Sequence, residues 1–391
     1  MRIVRLGLTN FRNYRQLELR LPPRLVVIQG DNAQGKTNLL EAIHMLATTK
    51  SHRASSDRDL IHQAATTEDF PFARISADVQ RENGNLSIDI VLRLEKTGPP
   101  TTKDTTASPS GIPLRKRIRV NDIVRRAIDL VGQVNVVTFS AQDIDLVAGT
   151  PSLCRRYLDL VNSQTDSNYL RSLQRYNRVL LQRNHLLKLL QERQAQPDQL
   201  QFWDKELVEN GSYIVMQRRH LVTALNKLAR EIHSELSGKT EKLEIVYLPS
   251  IDKDESLVEI ESRFRQALYQ TRRKEIAAGM TLVGPHRDSL QFQVNEADMS
   301  RYGSRGQQQT VILSLKLAEA RYIQTRVGDS PILLLDDVFS ELDHHRRQHL
   351  LESIVSFQQV LISAVDLDCF EPSFLAQTTQ FRVRQGTIES A

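Results

Sequence analysis

Hydrophobic and polar residues alternate with a period of two through much of the first third of the chain, which is the period of a half-buried strand. The apolar run Leu25–Ile28 is typical of a buried strand, and a helical pattern follows it from Thr37 to about Leu46. We therefore predict a small antiparallel sheet near this helix. Its alternating segments are Met1–Leu8, Leu17–Leu21, Phe72–Val79 and Leu86–Leu94.

The period changes to that of an amphipathic helix at about Pro151. Leucines recur at helical spacing from Leu158 to Leu190, and two more amphipathic stretches cover Phe202–Leu236 and Leu257–Ala277. These patterns predict an inserted, mainly helical domain.

Strand and helix patterns alternate again toward the end of the chain, which predicts an α/β fold. Thr97–Pro113 is rich in Thr, Ser, Pro and Gly, and we predict that it is a disordered hairpin tip. The last predicted elements are a strand at Leu290–Val294, a helix at Gly306–Thr325, an apolar strand at Ile332–Leu335, a further helix, a strand at Val360–Ile362 and a short hairpin.

The composition, with 40% hydrophobic and 25% charged residues, is that of a folded protein. No apolar run reaches the roughly 18 residues that span a bilayer, and no apolar segment near the N-terminus would direct secretion. The two cysteines, Cys154 and Cys369, lack metal-ligand spacing, so we expect a cytoplasmic protein without a zinc site. The net charge of +5 is compatible with a polyanionic partner.

Residues 30–37 match the phosphate-binding motif G-x-x-x-x-G-K-[ST] between a predicted strand and a predicted helix. Its glycines let backbone N–H groups and the helix N-terminus face a phosphate. We expect Lys36 to reach the β- and γ-phosphates of ATP and Thr37 to ligate Mg²⁺. The candidate nucleotide-binding residues of this loop are Gly30, Asp31, Asn32, Ala33, Gln34, Gly35, Lys36 and Thr37.

The apolar strand Ile332–Leu335 ends in two acids, Asp336 and Asp337. One carboxylate would hold Mg²⁺ and the other would activate the attacking water, so Asp336 is the metal ligand and Asp337 the candidate general base. With Lys36, these acids form the predicted catalytic set. Their long separation from the loop excludes compact P-loop GTPases.

Two short motifs indicate the ABC class of ATPases. Ser304-Arg305-Gly306-Gln307 is similar to the ABC signature, whose serine and helix N-terminal amides bind the γ-phosphate held by a partner subunit. A plain helix N-cap is the alternative for this tetrapeptide. Ser340–Asp343 is similar to the D-loop. The signature predicts that ATP joins two copies of the chain. The signature adds the nucleotide-site candidates Ser304, Gly306 and Gln307, and the D-loop adds Asp343.

Blocks spread along most of the chain resemble the RecF family, which belongs with the SMC ATPases but lacks their long coiled coil. The resemblance implies an ATPase lobe made of residues 1–125 and 281–391, with a helical arm domain at 126–280. The blocks are Thr9–Tyr14, Lys50–Arg53, Gly149–Pro151, Arg155–Asp159, Gly284–Asp288 and Asp336–Asp343.

Two positions depart from the pattern of most ABC ATPases, and one RecF-like block could be mistaken for a catalytic pair. Asp337 is one methylene shorter than the glutamate of most ABC ATPases, as in the RecF family, which suggests slow hydrolysis. Arg305 stands where ABC signatures have a small glycine. No nucleophile accompanies His286 and Arg287, so we expect that block to have a structural role in support of the ATPase lobe.

The resemblance implies an ATP-dependent clamp of recombinational DNA repair, with weak DNA-stimulated ATPase activity and links to replication and the SOS response. It would grip duplex DNA near gaps or single-strand/double-strand junctions without reading sequence, and it implies RecR and RecO as partners. One alternative is an ATP-switched DNA-binding module in which hydrolysis is incidental. A transporter ATPase subunit is disfavoured, because it would leave the RecF-like blocks unexplained.

Several basic clusters could contact DNA phosphates. For each cluster, a solvated helix face balanced by nearby acids is the alternative. Nothing resembles a helix-turn-helix or a zinc finger, so sequence-specific binding is not expected. The clusters are Arg115–Arg117 with Arg119, Arg125–Arg126, Arg155–Arg156, and the set Arg263, Arg265, Arg272, Arg273 and Lys274.

Overall fold

A computed structural model describes residues 1–95, 113–251 and 256–390. The chain forms two compact units, one of residues 1–141 with 323–391 and the other of residues 142–322. The predicted hairpin tip lies outside the described residues except for Pro113. The division at residues 125/126 and 280/281 stays a prediction.

The elements follow the predicted order closely. The strands of the described residues are β1 (Arg2–Phe11), β2 (Tyr14–Arg20), β3 (Arg24–Gln29), β4 (Phe72–Arg81), β5 (Gly84–Leu94), β6 (Leu114–Val120), β7 (Ile123–Arg125), β8 (Val136–Ser140), β9 (Leu243–Leu248), β10 (Ser289–Val294), β11 (Ala297–Asp298), β12 (Ile332–Asp336), β13 (Gln359–Ala364), β14 (Thr379–Arg384) and β15 (Thr387–Ser390). The helices are α1 (Lys36–Thr48), α2 (Ala127–Leu130), α3 (Asp145–Ala148), α4 (Pro151–Thr165), α5 (Ser167–Gln191), α6 (Leu200–Leu236), α7 (Leu257–Ala278), α8 (Met299–Tyr302), α9 (Arg305–Val327), α10 (His344–Ile354) and α11 (Pro372–Leu375). Within the described residues, no helix combines the length and the apolar character that crossing a membrane requires.

The first unit contains an antiparallel sheet in the order β2-β1-β4-β5-β6-β7. Alternation explains its two faces: Ala73 and Ile75 of β4 are buried, whereas Arg74 between them is exposed. The predicted antiparallel sheet is therefore confirmed: β6 is the strand that the predicted hairpin requires after its tip, and β7 extends the sheet by one short strand.

The first unit also contains a mostly parallel sheet in the order β15-β14-β3-β13-β12-β8, with β15 as its antiparallel edge. Residues Ile332–Leu335 of β12 are fully buried, as expected for a central parallel strand. The carboxyl ends of β3, β12 and β13 lie side by side, because these strands run parallel. Ligands of open α/β sheets bind at this edge, so the fold brings the two predicted halves of the site together.

The second unit is mainly helical, as predicted, and also contains the sheet β11-β10-β9. Strand β9 was not predicted. Its apolar residues Leu243, Ile245 and Tyr247 alternate toward the buried side, but the surrounding helical periodicity hides so short a signal. The α/β fold class with mixed sheets and a mainly helical insert is confirmed.

Candidate nucleotide-binding site

The phosphate-binding loop joins β3 to α1, and its backbone uses left-handed conformations. Ala33 has φ 65° and Gly35 has φ 121°, a value that residues with side chains rarely adopt. A Cβ atom on Gly35 would lie 2.5 Å from Nδ2 of Asn13, and one on Gly30 would lie 2.5 Å from the carbonyl oxygen of Val383. Close packing therefore requires glycine at both ends of the loop.

Lys36 is buried in the first turn of α1, and its ammonium group contacts the loop itself. Nζ donates to the carbonyl oxygens of Gly30 at 2.6 Å and Asp31 at 3.0 Å. Burial lowers the pKa of Lys36, while the carboxylates of Asp337, Asp336 and Asp31 act in the opposite direction. Because an ammonium group has three donors and no acceptor, phosphate oxygens can replace these carbonyls.

Asp336 is held by hydroxyl groups from two other segments. Oγ1 of Thr37 donates to Oδ1 of Asp336 at 2.9 Å. Oγ of Ser363 donates to the same oxygen at 2.8 Å, and parallel pairing places Ser363 beside Asp336 on the neighbouring strand. The predicted metal ligands Thr37 and Asp336 are therefore brought together.

Asp337 leaves β12 in a left-handed conformation with φ 55°, which costs a residue other than glycine roughly 1–3 kcal/mol. Its N–H donates to Oγ of Ser363 at 3.0 Å, and the hydroxyl of Ser340 donates to its carbonyl oxygen at 2.8 Å. Ser363 thus contacts both predicted catalytic acids. The sequence reasoning missed Ser363, although a polar residue that directly follows the apolar run Val360–Ile362 was an available signal.

Asp343 of the predicted D-loop caps α10. Its carboxylate accepts from the N–H of Arg346 at 2.9 Å and also pairs with the Arg346 guanidinium. The hydrogen bond from that N–H is the largest cause that lowers the pKa of Asp343. Arg347 donates to the carbonyl oxygens of Phe339 and Leu342, each at 3.1 Å, and so holds the preceding turn. The role of Asp343 toward a nucleotide stays a prediction.

The predicted signature lies at the start of α9 and forms a capping box. The N–H of Gln307 donates to Oγ of Ser304 at 3.2 Å, and the N–H of Ser304 donates to Oε1 of Gln307 at 3.1 Å. Nε2 of Gln307 also donates to Glu241 at 2.8 Å. The N-cap alternative is therefore observed, with Ser304 and Arg305 exposed. Contacts of Ser304, Gly306 and Gln307 with a nucleotide on another copy stay predictions.

The loop and the acids fit a magnesium nucleotide. Helix α1 has no side-chain N-cap and no acid in its first turn, so its first amide groups can face an anion. Asp31, Asn32 and Ala33 are exposed, which leaves the outer part of the loop accessible. A threonine hydroxyl and a single carboxylate suit Mg²⁺, which takes its other oxygen ligands from water and phosphate.

Comparison with known proteins decides the family. The sequence profile of the RecF/RecN/SMC N terminal domain matches residues 2–389. A Herpetosiphon aurantiacus protein named DNA replication and repair protein RecF is 46% identical over 395 residues, 99% of each chain. The chain belongs to the RecF family. A RecF of the same full name from Halalkalibacterium halodurans is 41% identical and covers 100% of this chain and 99% of its own.

Solved structures agree with membership of the RecF family. One described as the recombination mediator protein RecF-ATPrS in the RecFOR pathway has a TM-score of 0.86 and 30% identity, over 100% of this chain and 98% of its own. The Smc head domain of Pyrococcus furiosus has a TM-score of 0.53 at 15% identity, over 100% of this chain and 95% of its own. The second likeness shows the shared fold alone.

Two RecF-like blocks, Thr9–Tyr14 and Lys50–Arg53, converge on Glu41 of α1. Arg12 donates to both carboxylate oxygens of Glu41 at 2.8 Å, and the hydroxyl of Ser51 donates to one of them. Burial opposes ionisation of Glu41, but the hydrogen bonds from Arg12 and Ser51 outweigh it and lower the pKa of Glu41. These blocks therefore anchor the helix that follows the phosphate-binding loop.

His286 of the RecF-like block Gly284–Asp288 is a half-buried, hydrogen-bonded side chain. Its Nδ1 lies 2.7 Å from the hydroxyl of Tyr176, and its Nε2 lies 3.1 Å from the carbonyl oxygen of Thr281. A carbonyl only accepts, so Nε2 carries the proton and Nδ1 accepts from Tyr176. Burial lowers the pKa of His286 to about 4. A neutral ring that bonds to Tyr176 and Thr281 fits the predicted structural role of this block.

Asp288 of the same block belongs to a buried ion-pair network. Arg218, only 2% exposed, donates to Asp288 at 3.1 Å and to Asp159 at 2.8 Å. The hydroxyl of Tyr247 and the N–H of Ser250 also donate to Asp288. These partners all lie within residues 142–322, and the expectation that this block supports the ATPase lobe stays a prediction.

Proposed function

We propose that this chain binds ATP with Mg²⁺ and that ATP closes two copies into a clamp on DNA in recombinational repair. The observation that carries this proposal is the hydrogen bond from Thr37 to Asp336, which joins the phosphate-binding loop to the acidic strand end. Their hydroxyl and carboxylate are the metal-binding pair of P-loop NTPases. The name of its relatives, DNA replication and repair protein RecF, and the solved RecF-ATP structure support the proposal.

Each residue of the loop and strand would have a separate task. Lys36 would exchange the carbonyls of Gly30 and Asp31 for phosphate oxygens, since all of them are acceptors for its ammonium group. Thr37 and Asp336 would hold Mg²⁺, which neutralises charge on the phosphates when bound. Asp337 would orient the attacking water and accept its proton.

The clamp needs a second copy for its closed state. Ser304, Gly306 and Gln307 would bind the γ-phosphate held by the other copy, and Asp343 would lie at the same junction. RecO and RecR are the proposed protein partners, since the solved relatives are described as part of the RecFOR pathway.

The side chains of β6 divide the predicted basic cluster into two groups. Lys116 lies on the inner side and pairs with Asp57 at 2.7 Å. Arg115, Arg117 and Arg119 lie on the other face, with Arg115 and Arg117 exposed. Within the described residues, Arg117 and Arg119 form no ion pair. They are therefore available for a polyanion.

This outer face also carries an unfavourable pair. Arg93 of β5 lies directly opposite Arg115 of β6, and like charges in that position destabilise a sheet. One acid, Glu95, contacts Arg115 at 2.9 Å. We propose that the face formed by Arg93, Arg115, Arg117 and Arg119, here called the arginine face, binds DNA phosphates.

Other predicted clusters are partly used within the protein. Arg155 donates to the carbonyl oxygen of Asp288 at 2.9 Å. Arg126, Arg265 and Arg272 pair with Asp129, Glu261 and Asp204 respectively. For Arg126, Arg265 and Arg272 these contacts favour the alternative of a solvated helix face balanced by nearby acids, while Arg155 is held by a backbone contact. The arginine face is therefore the preferred DNA-binding candidate.

A switch without obligatory hydrolysis is the second candidate. It is favoured by Asp337, whose short side chain sits on a fixed left-handed backbone. The Asp337→Asn variant tests this choice through DNA affinity, with and without ATP, and through repair in cells. Under the hydrolysis-dependent clamp, the variant binds DNA with ATP, fails to release it and loses repair. A variant that repairs DNA normally would favour the switch instead.

A further inference from the structure

The turn between β14 and β15 lies against the phosphate-binding loop. Strand β14 runs parallel to β3, the strand that leads into the loop. At the end of β14 the chain reverses through Gln385 and Gly386, which have φ 47° and 76°. Positive φ at both central residues is the signature of a tight two-residue hairpin turn. Because β14 pairs with β3, this turn lies next to Gln34 of the phosphate-binding loop.

Two backbone N–H groups of the turn donate to Gln34. The N–H of Gln385 reaches Oε1 of the Gln34 side chain at 2.7 Å. The N–H of Gly386 reaches the Gln34 carbonyl oxygen at 3.1 Å. Nδ2 of Asn13 donates to the same carbonyl oxygen at 2.7 Å. Gln34 is thus held through both its side chain and its backbone.

The carbonyl contact has a consequence for the neighbouring amide. The peptide bond between Gln34 and Gly35 is planar and trans, so its carbonyl and its N–H point in opposite directions. Because the Gln34 carbonyl faces Gly386 and Asn13, the N–H of Gly35 faces away from them. N–H groups of this loop are the donors that cradle phosphates. The turn therefore fixes the orientation of a phosphate-binding donor.

We propose that the Gln385–Gly386 turn is a positioning element of the nucleotide site, which holds Gln34 so that the loop is preorganised for the phosphates. The inference rests on the proposed ATP binding and adds a segment at the other end of the sequence to that site. Preorganisation lowers the cost of ordering a binding loop, so the affinity for ATP depends on the turn.

Gly386→Ala tests the proposal, because a Cβ atom there would clash with the carbonyl oxygen of Asn13. Gly84→Ala is the matched control. Gly84 begins β5 after the turn from β4 and also has positive φ, at 114°, but a Cβ atom there meets nothing within 4 Å. Both variants strain a hairpin turn, and only one of them disturbs Gln34.

The measurement is the Kd of a fluorescent ATP analogue, with the full chain well below its thermal midpoint. Losing the two hydrogen bonds to Gln34 predicts a roughly tenfold or greater weakening of ATP binding for Gly386→Ala. Gly84→Ala should bind as the wild type does. A Gln34→Ala variant, which removes only the acceptor of the Gln385 N–H, should weaken binding by severalfold, and it decides the question if Gly386→Ala does not fold.

Wild-type affinity in all three variants would overturn the positioning role and leave ATP binding intact. A wild-type chain that binds no ATP would instead contradict the proposed function. Equal weakening by Gly84→Ala and Gly386→Ala would show a general effect of hairpin strain, and this result also overturns the inference.

Discussion

Thr37 donates a hydrogen bond to Asp336 across 299 positions of sequence. Asp336 ends β12, whereas Thr37 lies in the first turn of α1, which follows β3 of the same sheet. Their oxygen atoms converge where these parallel strands stop. The same Asp336 oxygen accepts from Ser363. One carboxylate oxygen therefore links three segments of the chain.

Ser363→Ala should impair hydrolysis more than nucleotide binding. The substitution removes a bond to the carboxylate of Asp336 and another to the backbone of Asp337, each worth roughly 0.5–1.5 kcal/mol. We expect kcat for ATP hydrolysis to fall about tenfold, with the Kd for ATP changed less than about threefold. Steady-state hydrolysis and equilibrium binding measure the two effects.

Ser363→Thr is the control for that prediction, since threonine keeps the hydroxyl and suits a strand. It should restore most of the lost kcat. Equal hydrolysis by wild type and Ser363→Ala would refute the positioning of the two acids by Ser363.

Removal of two charges from the arginine face should weaken DNA binding. The Arg117→Ala/Arg119→Ala variant loses two proposed phosphate contacts, so the slope of log K against log salt should decrease by about 2. Arg273→Ala/Lys274→Ala removes the same charge from an exposed part of α7 and is the matched control. A salt titration with gapped duplex DNA compares them. A greater loss of DNA affinity in the control variant would contradict the assignment of DNA binding to the arginine face.

His286 should make the stability of the protein depend on pH. Its folded pKa of about 4 lies below the ordinary value of 6.5, so the unfolded chain binds the proton more tightly. The stabilisation is complete above pH 6.5 and is lost as pH falls toward 4, by up to about 3 kcal/mol.

Urea unfolding at several pH values measures this loss. His286→Gln can still accept from Tyr176 and donate to Thr281 but does not titrate, so its unfolding free energy should fall less between pH 6.5 and 4. Parallel pH profiles of the two proteins would rule out His286 as the titrating group.

Sequence periodicity predicted much of the fold because its signals are local. The loop at residues 30–37 and the apolar strand before Asp336 each carry their own pattern, and parallel pairing then brings them together. Strand β9 escaped prediction because six alternating residues are few beside long helices.

The residues that hold the nucleotide-site residues in place could not be predicted in the same way. Ser363 and Gly386 act through distant partners, Asp336 and Gln34. The apolar run before Ser363 marks it as a polar residue at a strand end, but no local pattern identifies the partner of either residue. Lys116 and Arg117 are neighbours in sequence, yet they lie on opposite faces of β6, and only the structure shows that Lys116 pairs with Asp57.

The mass of the protein in solution tests the central claim most directly. It should be measured without nucleotide, with ADP, and with ATP plus Mg²⁺, for the wild type and Lys36→Met, each with and without gapped duplex DNA. The clamp predicts that ATP converts monomer to dimer, that DNA binding rises with dimerisation, and that Lys36→Met abolishes both effects. If neither the mass nor the DNA affinity changes when ATP is added, the assignment of Ser304 to a shared nucleotide site is contradicted. The proposed clamp is then contradicted as well.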